Sequence, residues 1–432
     1  MTTVEFVSQH READVASLAL QLRRYPEVDA AFALQQIEGW QRARHKLPEL
    51  AANPDWHWPR RLSLEQASSE TTARYKQQVL ASPDQSEPAD FSRLIDLTGG
   101  LGVDTFYLSE LFAETHYVER DEALCALAEH NFAATGRRIT VHHCQAEDWL
   151  ANTSPGAGEV PAGRRGLPLT TIFLDPARRD SHGGKVFRLQ DCTPDVTELL
   201  PQMQALADRI LIKLSPMLDI TEALRALGGA AEVHVVAVRN EVKELLVLLK
   251  TGQNTLDPQI VCVNLETQEP AFRFRASEEK EADRFDKFDW FDKFDWSGKS
   301  DWSDKSDFFL VEPNAAILKA GAFKTFAARF GLTKLAANTQ LYAICSQAPS
   351  KNIRIKNAFS DLPGRLFEVH EAEKEELKQL KQANVLCRNY PLAPEALKKK
   401  LRLSDGGETY VIGARVGDKP TLFVGRRQIF HT

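Results

Sequence analysis

A glycine-rich turn between a short apolar strand and a helix is the feature that most constrains the fold of this chain. It lies in Leu94-Ile-Asp-Leu-Thr-Gly-Gly-Leu-Gly-Val-Asp104, and the helix is expected to run to about Leu111. The next apolar run, His116-Tyr-Val-Glu-Arg120, contains an acidic residue, Glu119, near its end. This order of elements is typical of the nucleotide-binding half of a doubly wound α/β domain, where ligands bind beyond the carboxyl ends of the strands.

The residues of the turn indicate the kind of ligand. Gly99, Gly100 and Gly102 can adopt positive φ and allow a ligand to approach the backbone closely. Their spacing differs from the Gly-x-Gly-x-x-Gly fingerprint that seats a pyrophosphate on a helix N-terminus. Two carboxylates, Asp96 and Asp104, flank the glycines and would repel a pyrophosphate. They suit a ligand with an amino group and ribose hydroxyls but no phosphate, and S-adenosylmethionine has that chemistry.

Two longer patterns surround the turn. Apolar residues upstream of it recur at helical spacing, which predicts amphipathic helices from about residue 4 to residue 80, with Ser68 or Ser69 capping the helix that leads to the turn. From about residue 91 to residue 250, apolar strands alternate with helical stretches, which predicts a parallel sheet with helices on both faces. The expected strands are 93–97, 115–119, 139–143, 170–174, 209–213, 232–238 and 244–249.

Several segments resemble a known enzyme class. The segment from Asp96 to Asp104 resembles motif I of class I S-adenosylmethionine-dependent methyltransferases, and Asp175-Pro-Ala-Arg-Arg179, after an apolar strand, resembles motif IV. Two further signatures, Glu312-Pro-Asn-Ala-Ala-Ile317 and Arg388-Asn-Tyr-Pro391, are similar to those of a bacterial methyltransferase family with a THUMP-like C-terminal domain. The resemblance covers most of the chain.

The resemblance implies an α/β fold, a Rossmann-like seven-stranded methyltransferase domain whose final strand is antiparallel, with an N-terminal helical domain and small C-terminal α+β modules. The expected domains are 1–90 (helical), 91–256 (methyltransferase), 257–357 (a small α+β module with a low-complexity insertion, 284–307) and 358–432 (THUMP-like). In the last of these, we expect a charged helix from Glu371 to Asn384 and a β-hairpin that turns at Gly417-Asp418.

The cofactor implied by the resemblance is S-adenosyl-L-methionine, with Glu119 as the acid that binds its ribose. The expected cofactor-binding residues are Asp96, Thr98, Gly99, Gly100, Gly102, Asp104, Thr105, Glu119, Arg120, Gln145, Ala146, Glu147, Asp175 and Pro176. The adenine contact could come from Gln145 or Glu147, because glutamine stands where the family pattern often has aspartate. Trp149 could wall the adenine ring or simply pack in the core. Ser69, Glu70 and Thr72 are further candidates to line the pocket.

Methyl transfer from a sulfonium is a direct displacement, so the enzyme mainly has to orient its reactants. The expected catalytic residues are Asp175, Arg178 and Lys213. Asp175 could accept a proton or a hydrogen bond from the nucleophile, or it could merely cap the following turn. Lys213 could hold the substrate, or its long side chain could extend from a strand end into solvent. The motif IV segment contains no cysteine, which argues against methylation of a pyrimidine carbon.

The THUMP-like resemblance favours RNA as the partner, and methylation of a base nitrogen in a structured RNA, tRNA or rRNA, is the expected reaction. The expected substrate-binding residues are Arg178, Arg179, Lys185, Arg388, Lys398 and Lys399. A basic run is often only a solvated surface. An RNA-interaction protein that binds the cofactor without transferring its methyl group, or a methyltransferase acting on a protein or a small molecule, therefore remains the alternative.

The amino-acid composition restricts the possible partners of the protein and its cellular environment. The net charge of −6 gives no overall basic field, so contact with nucleic acid must come from local patches. Six scattered cysteines without a Cys-x-x-Cys pair favour a reducing environment and argue against a zinc site. The start of the chain lacks the features of a signal peptide, and no apolar run approaches membrane-spanning length. We expect a cytoplasmic enzyme without a membrane segment or a metal, and its oligomeric state is left open.

Overall fold

The structure, a computed structural model, describes residues 1–81, 92–153, 169–178, 188–282, 308–344 and 361–428. The chain divides into two compact units. The first comprises Met1–Ala231 and Leu245–Leu256, and the second comprises Glu232–Glu244 and Asp257–Thr432. The low-complexity insertion predicted at 284–307 lies outside the described residues, and the domain boundaries expected from the sequence stay predictions.

The first unit begins with the predicted helices. They are α1 (Thr3–His10), α2 (Val15–Gln21), α3 (Ala30–Ala43), α4 (Pro48–Ala52), α5 (Arg61–Gln66) and α6 (Glu70–Ala81). Ser69 caps α6, because its hydroxyl accepts a hydrogen bond from the backbone N–H of Thr72. The apolar faces of α1, α2 and α3 form a core around Phe6, Leu18 and Ile37. The helical region predicted from periodicity is therefore present, and α6 is its last described helix before β1 and the glycine turn.

Strands and helices then alternate. The elements are β1 (Arg93–Asp96), α7 (Val103–Leu108), β2 (Glu114–Glu119), α8 (Glu122–Ala134), β3 (Ile139–His143), α9 (Ala146–Thr153), β4 (Thr170–Leu174), β5 (Ala177–Arg178), β6 (Cys192–Thr193), α10 (Val196–Leu206), β7 (Arg209–Leu214), α11 (Ile220–Leu227), β8 (Glu232–Val238) and β9 (Glu241–Lys250). All seven predicted strands are present, and they differ from the expected bounds by at most three residues at an end.

The sheet of the first unit has the strand order β9-β7-β4-β1-β2-β3 in the described residues. β7, β4, β1, β2 and β3 are mutually parallel, and β9 pairs antiparallel with β7. The central strand β4 is buried along its whole length, as expected for a parallel strand covered on both faces. The expected α/β methyltransferase fold with an antiparallel final strand is confirmed. Since β1, β2, β4 and β7 are parallel, their carboxyl ends share one edge, and that edge carries the candidate site.

The second unit contains β8 and, after β9, two further strands and a helix followed by a separate sheet with its helices. These elements are β10 (Gln259–Leu265), β11 (Phe272–Arg275), α12 (Ala276–Glu281), β12 (Phe308–Pro313), α13 (Ala315–Ala320), α14 (Phe323–Phe330), β13 (Leu332–Ala336), β14 (Thr339–Ile344), β15 (Gly364–Glu371), α15 (Lys374–Gln379), β16 (Asn384–Arg388), α16 (Pro394–Leu401), β17 (Thr409–Val416) and β18 (Lys419–Gln428).

Seven of these strands form a sheet in the order β13-β14-β12-β15-β18-β17-β16. The sheet curls, because strands from its two ends meet. The backbone N–H of Gly417 donates to the carbonyl of Leu335, 2.8 Å away, and the Thr339 hydroxyl donates to the carbonyl of Arg415. The curled sheet encloses an apolar core that includes Leu310, Leu341, Phe367, Val369, Ile412 and Phe423.

The C-terminal predictions had mixed outcomes. The hairpin at Gly417-Asp418 is confirmed, since β17 and β18 pair antiparallel around these two residues. The charged helix expected from Glu371 to Asn384 is much shorter, because α15 spans only Lys374–Gln379 while Glu371 ends β15 and Asn384 begins β16. In the described parts of the chain, no helix is long and apolar enough to cross a membrane.

Candidate functional site

The glycine turn lies at the carboxyl end of β1 and is packed against β2 and α8. A Cβ on Gly99 would lie 2.1 Å from the ring of Tyr117, and one on Gly102 would lie 2.8 Å from Phe132. Gly102 also has φ +79°, which favours glycine. These two glycines are therefore required for packing. At Gly100, φ is +56° and a Cβ would meet nothing closer than 3.8 Å, so this part of the turn is open to a ligand.

Asp96 lies at the centre of the site, at the end of β1, and is 1% exposed. Its carboxylate accepts hydrogen bonds from the Thr105 hydroxyl and from the backbone N–H of Thr98. Burial raises the pKa of Asp96 to about 7, because a charged carboxylate is poorly solvated there, and the nearby Asp104 and Asp175 act in the same direction. The site thus holds an acidic group that changes its charge near neutral pH.

Asp104, in α7, is held by the preceding helical segment. It accepts a hydrogen bond from the hydroxyl of Ser68 at 2.7 Å, and the ammonium of Lys76 lies 3.1 Å from its other oxygen. Lys76 is 0% exposed and also donates to the Ser68 hydroxyl. Burial alone would raise the pKa of Asp104, but the charges of Lys76 and Lys213 and the bond from Ser68 lower it below its ordinary value. Asp104 is therefore ionised at neutral pH.

Asp175 follows β4 and is tied to both neighbouring strand ends. Its backbone N–H donates to the Thr98 hydroxyl at 2.6 Å, and the ammonium of Lys213, at the end of β7, is bonded to its carboxylate oxygen Oδ2. Pro176 is buried next to it. The structure therefore brings together Asp175 and Lys213, two of the three expected catalytic residues, at the same edge as the glycine turn.

The third expected catalytic residue cannot be placed. The backbone of Arg178 pairs with the buried Cys192 between β5 and β6, but the side chain of Arg178 lies outside the described part of the chain. Arg179 and Lys185 also lie outside it. Their expected roles stay predictions.

Glu119 ends β2 and faces the turn. Its oxygen Oε2 accepts a hydrogen bond from the backbone N–H of Gly100, and Oε1 accepts from the N–H groups of Arg120 and Asp121, each at 2.9 Å. A carboxylate has about four acceptor positions, so these bonds fix Glu119 and leave capacity for a ligand hydroxyl. The side chain of Arg120 is exposed.

The segment after β3 begins α9 at the same edge of the sheet. Gln145 and Glu147 are exposed there and Ala146 is buried. Trp149 is largely buried and packs against the rings of His116 and His142, which agrees with core packing. Gln145 and Glu147 thus remain the two alternatives for contact with an adenine ring.

The residues at this edge fit S-adenosylmethionine chemically. Asp96, Asp104, Glu119 and Asp175 outnumber Lys76 and Lys213, which gives a surplus of negative charge beside an open turn. Such a surplus favours a cationic sulfonium and an ammonium group, and the carboxylates can accept hydrogen bonds from ribose hydroxyls. The cofactor supplies an activated methyl group when it is bound.

Ser68 and Lys76 are the site residues that the sequence reasoning missed. The expected pocket residues Ser69, Glu70 and Thr72 make contacts within the helical region. Ser69 caps α6 by accepting from Thr72, and Glu70 pairs with Arg74 and accepts a hydrogen bond from the backbone N–H of Glu49. Lys76 lies eight residues after Ser68 in a helix rich in polar residues. Nothing in that pattern distinguishes a buried lysine from a solvated one, because lysine is usually exposed.

In the second unit, the structure gives the predicted substrate-binding residues different surroundings. Arg388 pairs with the buried carboxylate of Glu312. Lys398 lies 2.8 Å from both Glu395 and Asp405, and the hydrogen bonds to these carboxylates, that to Asp405 first, raise the pKa of Lys398. Lys399 is exposed.

Comparisons with known proteins agree with these features. Residues 309–348 match a family described as a ferredoxin-like domain, and residues 364–427 match one described as THUMP domain-like. A crystal structure of a methyltransferase from Porphyromonas gingivalis W83 is 30% identical, with a TM-score of 0.76, and the alignment covers 99% of this chain and 98% of that chain. An S-adenosylmethionine-dependent methyltransferase of Mycobacterium tuberculosis (strain CDC 1551 / Oshkosh) is 26% identical over 389 residues, covering 87% of this chain and 90% of that protein.

The fold, the acid-flanked turn and these relatives agree. The protein is an enzyme, and its cofactor is S-adenosyl-L-methionine. The chain belongs to the family of class I S-adenosylmethionine-dependent methyltransferases that carry a THUMP-like C-terminal domain.

Proposed function

We propose that this methyltransferase acts on a base nitrogen of a structured RNA, tRNA or rRNA. The observation that carries the proposal is the match of residues 364–427 to a THUMP domain-like family in a chain that also contains a methyltransferase fold. The resemblance to a THUMP-like domain favours RNA as the substrate. A second recognition module can present a structured RNA to a catalytic domain.

In the proposed site, the cofactor lies on the open part of the glycine turn. Asp96 and Asp104 provide negative charge near it, and Glu119 binds the ribose hydroxyls with its remaining acceptor capacity. Gln145 or Glu147 contacts the adenine from the start of α9. The hydrogen bond from the Asp175 backbone to Thr98 connects this pocket to the motif IV loop, so the two parts of the site are held in register.

Asp175 is proposed to orient the substrate nitrogen. Lys213 is bonded to Oδ2 and holds the carboxylate in place, which leaves Oδ1 to accept a hydrogen bond from the N–H of the target base. With the cofactor bound, its sulfonium would supply the methyl group to the target nitrogen and the demethylated cofactor would leave, while Asp175 or water would take the N–H proton. This alignment of nucleophile and methyl group is the main contribution of the residues described.

The test is methyl transfer from labelled S-adenosylmethionine to total cellular RNA by the full-length protein. We expect label in RNA, and we expect Asp175→Asn to lower the rate by about 10²–10⁴-fold, the range for loss of a positioned acid-base group. Glu198→Gln, on the exposed side of α10, removes the same charge and should transfer at the wild-type rate.

The distribution of label decides the substrate. Label that enters protein or small molecules but not RNA would show that the RNA assignment is wrong, while the enzyme remains a methyltransferase. Label in RNA that is unaffected by Asp175→Asn would remove Asp175 from the reaction. Mapping the modified nucleotide then identifies the base and the atom.

A further inference from the structure

Two sequence signatures were not used by the methyltransferase site, and they meet in the second unit. Glu312-Pro-Asn314 begins with the last two residues of β12, and Arg388-Asn-Tyr-Pro391 begins at the last residue of β16. A third residue, Arg365 in β15, lies directly opposite Glu312 in the β12–β15 ladder. The side chains of Glu312, Arg365 and Arg388 form one cluster, which we call the arginine pair and its carboxylate.

One buried carboxylate holds both guanidinium groups. Glu312 is 2% exposed, its oxygen Oε2 accepts hydrogen bonds from Nε and Nη2 of Arg365, and its oxygen Oε1 forms an ion pair with Nη2 of Arg388. Nη1 of Arg388 donates in addition to the carbonyl of Cys387. Two cations share one anion, so the cluster carries an excess positive charge.

The fold keeps this cluster rigid. Gly364 lets β15 approach β12 closely, since a Cβ there would lie 2.4 Å from the carbonyl oxygen of Glu312. Tyr390 packs on Gly413 of β17, where a Cβ would lie 2.8 Å from its ring. The side chain of Asn389 donates to the Thr339 hydroxyl and joins the end of β16 to β14. Both arginines are therefore fixed on strands that the curled sheet brings together.

The arginines remain accessible. The side chain of Arg365 is 21% exposed and that of Arg388 is 33% exposed. Each guanidinium has more N–H donors than the bonds described above use. A buried ion pair needs only one cation per carboxylate, and a planar guanidinium that is already oriented loses little entropy when it binds a phosphate through two hydrogen bonds. This chemistry favours a phosphate oxygen as the ligand.

We propose that Arg365 and Arg388, oriented by Glu312, bind a backbone phosphate of the RNA substrate. The inference rests on the proposed RNA methyltransferase function and deepens it, since it identifies how the second unit contacts RNA. Arg365 was not expected from the sequence, and Glu312 acts as a positioning residue that does not touch the ligand.

The experiment measures the affinity of the full-length protein for bulk tRNA and for rRNA between about 50 and 200 mM salt. We compare the wild type with Arg388→Gln, Arg365→Gln and Arg388→Lys. Loss of one phosphate contact should reduce the slope of log affinity against log salt by about 0.7–0.9 and weaken binding several-fold at low salt. Arg388→Lys should keep the salt slope and lose part of the affinity, because lysine retains the charge without the paired donors.

The matched control is Lys419→Gln, an equal loss of charge at an exposed residue of β18, and it should change neither value measurably. Thermal unfolding and S-adenosylmethionine affinity should be similar in all variants that are interpreted. If Arg388→Gln lowers the thermal unfolding temperature, the RNA affinities and salt slopes of Arg365→Gln and Arg388→Lys still test the phosphate site.

The outcomes separate the two proposals. Wild-type protein that methylates RNA, with variants whose RNA affinity and salt slope are unchanged, would show that the arginine pair only stabilises the sheet, and the RNA function would stand. Wild-type protein that transfers label to protein, or that neither binds nor methylates RNA, overturns both the function and the phosphate site.

Discussion

The two charged clusters of the molecule have opposite compositions. In the first unit, the carboxylates around the glycine turn outnumber the two lysines, and in the second unit two arginines share the carboxylate of Glu312. Both clusters are tied to strand ends or neighbouring strands, and both contain a buried carboxylate with a cationic partner. The sign of the residual charge differs, and this sign indicates the ligand: a cationic nucleoside in the first and a phosphate in the second.

The difference also concerns which partner is buried. In the first unit, both Lys76 and Asp104 are buried, so water contributes little to the solvation of their charges and each charge is stabilised mainly by the other. In the second unit, Glu312 is buried while the arginines are partly exposed, so water shares the solvation of their charge. We therefore expect the two clusters to respond differently to mutation, pH and salt.

The largest effect on stability is expected from Lys76→Met. The substitution leaves the Asp104 carboxylate buried without its nearest cation, which typically costs about 3–5 kcal/mol. Denaturant unfolding of the full chain measures the loss. Arg61→Met removes an equal charge from an exposed pair with Glu65 and should change the free energy of unfolding little, because water screens the charges of exposed pairs. A loss from Lys76→Met as small as this control would show that Asp104 is solvated.

A smaller loss is expected from Glu312→Gln in the second unit. The two arginines would keep their positive charges without the carboxylate between them, but their exposure reduces the cost to about 2 kcal/mol, below the range for fully buried pairs. The same denaturant experiment measures it. Glu375→Gln, which disrupts the exposed pair with Lys378, serves as the control. Equal losses for Lys76→Met and Glu312→Gln would remove the proposed difference in burial.

The pH dependence of cofactor binding sharpens the assignment of the acidic cluster. The pKa of Asp96 is about 7, so its ionised fraction falls about tenfold between pH 8 and pH 6. A cationic cofactor prefers the ionised form, and its affinity should therefore be up to about tenfold weaker at pH 6. Calorimetry over this range tests the expectation. Asp96→Asn should flatten the profile, and a wild-type affinity independent of pH would contradict the role of Asp96.

The same shift has a consequence for the protein without cofactor. The folded state keeps the Asp96 proton up to a pH of about 7, whereas the unfolded chain releases it near the ordinary pKa of 3.8. The contribution of Asp96 to stability is therefore greatest at low pH and decreases as the pH rises between these values.

The smallest effect is expected from salt on the first cluster. S-adenosylmethionine affinity should change less than about twofold between 50 and 200 mM salt, because interactions at buried groups are weakly screened. RNA affinity should fall by about tenfold or more over the same range. Calorimetry for the cofactor and a binding titration for RNA provide the comparison. Equal salt dependence for the two ligands would show that the sign of charge does not distinguish the sites.

Much of the first unit could be predicted from local sequence. The Rossmann-like fold followed from apolar strands alternating with helices, and the turn followed from Gly99, Gly100 and Gly102 next to Asp96. The sequence did not show why each of these glycines is required. Gly99 and Gly102 are needed by Tyr117 and Phe132, which come close only in the folded chain.

Features that depend on contacts between distant segments could not be predicted. Lys76 reads as a solvated helix residue until Asp104 is placed beside it. The charged segment from Glu371 to Asn384 reads as one helix, but pairing with β18 and β17 takes its two ends into strands. The meeting of Glu312, Arg365 and Arg388 required the curled sheet, and no spacing in the sequence indicates it.

The contact between Lys76 and Asp104 determines where this enzyme can be divided. Lys76 belongs to the last helix before the expected boundary at residue 90, and Asp104 belongs to motif I. A fragment cut at that boundary would contain every signature of a methyltransferase and still lack the ammonium group that neutralises one of its acids. The shortest fragment able to bind the methyl donor should therefore begin before Ser68, so that it contains α6 together with the methyltransferase fold.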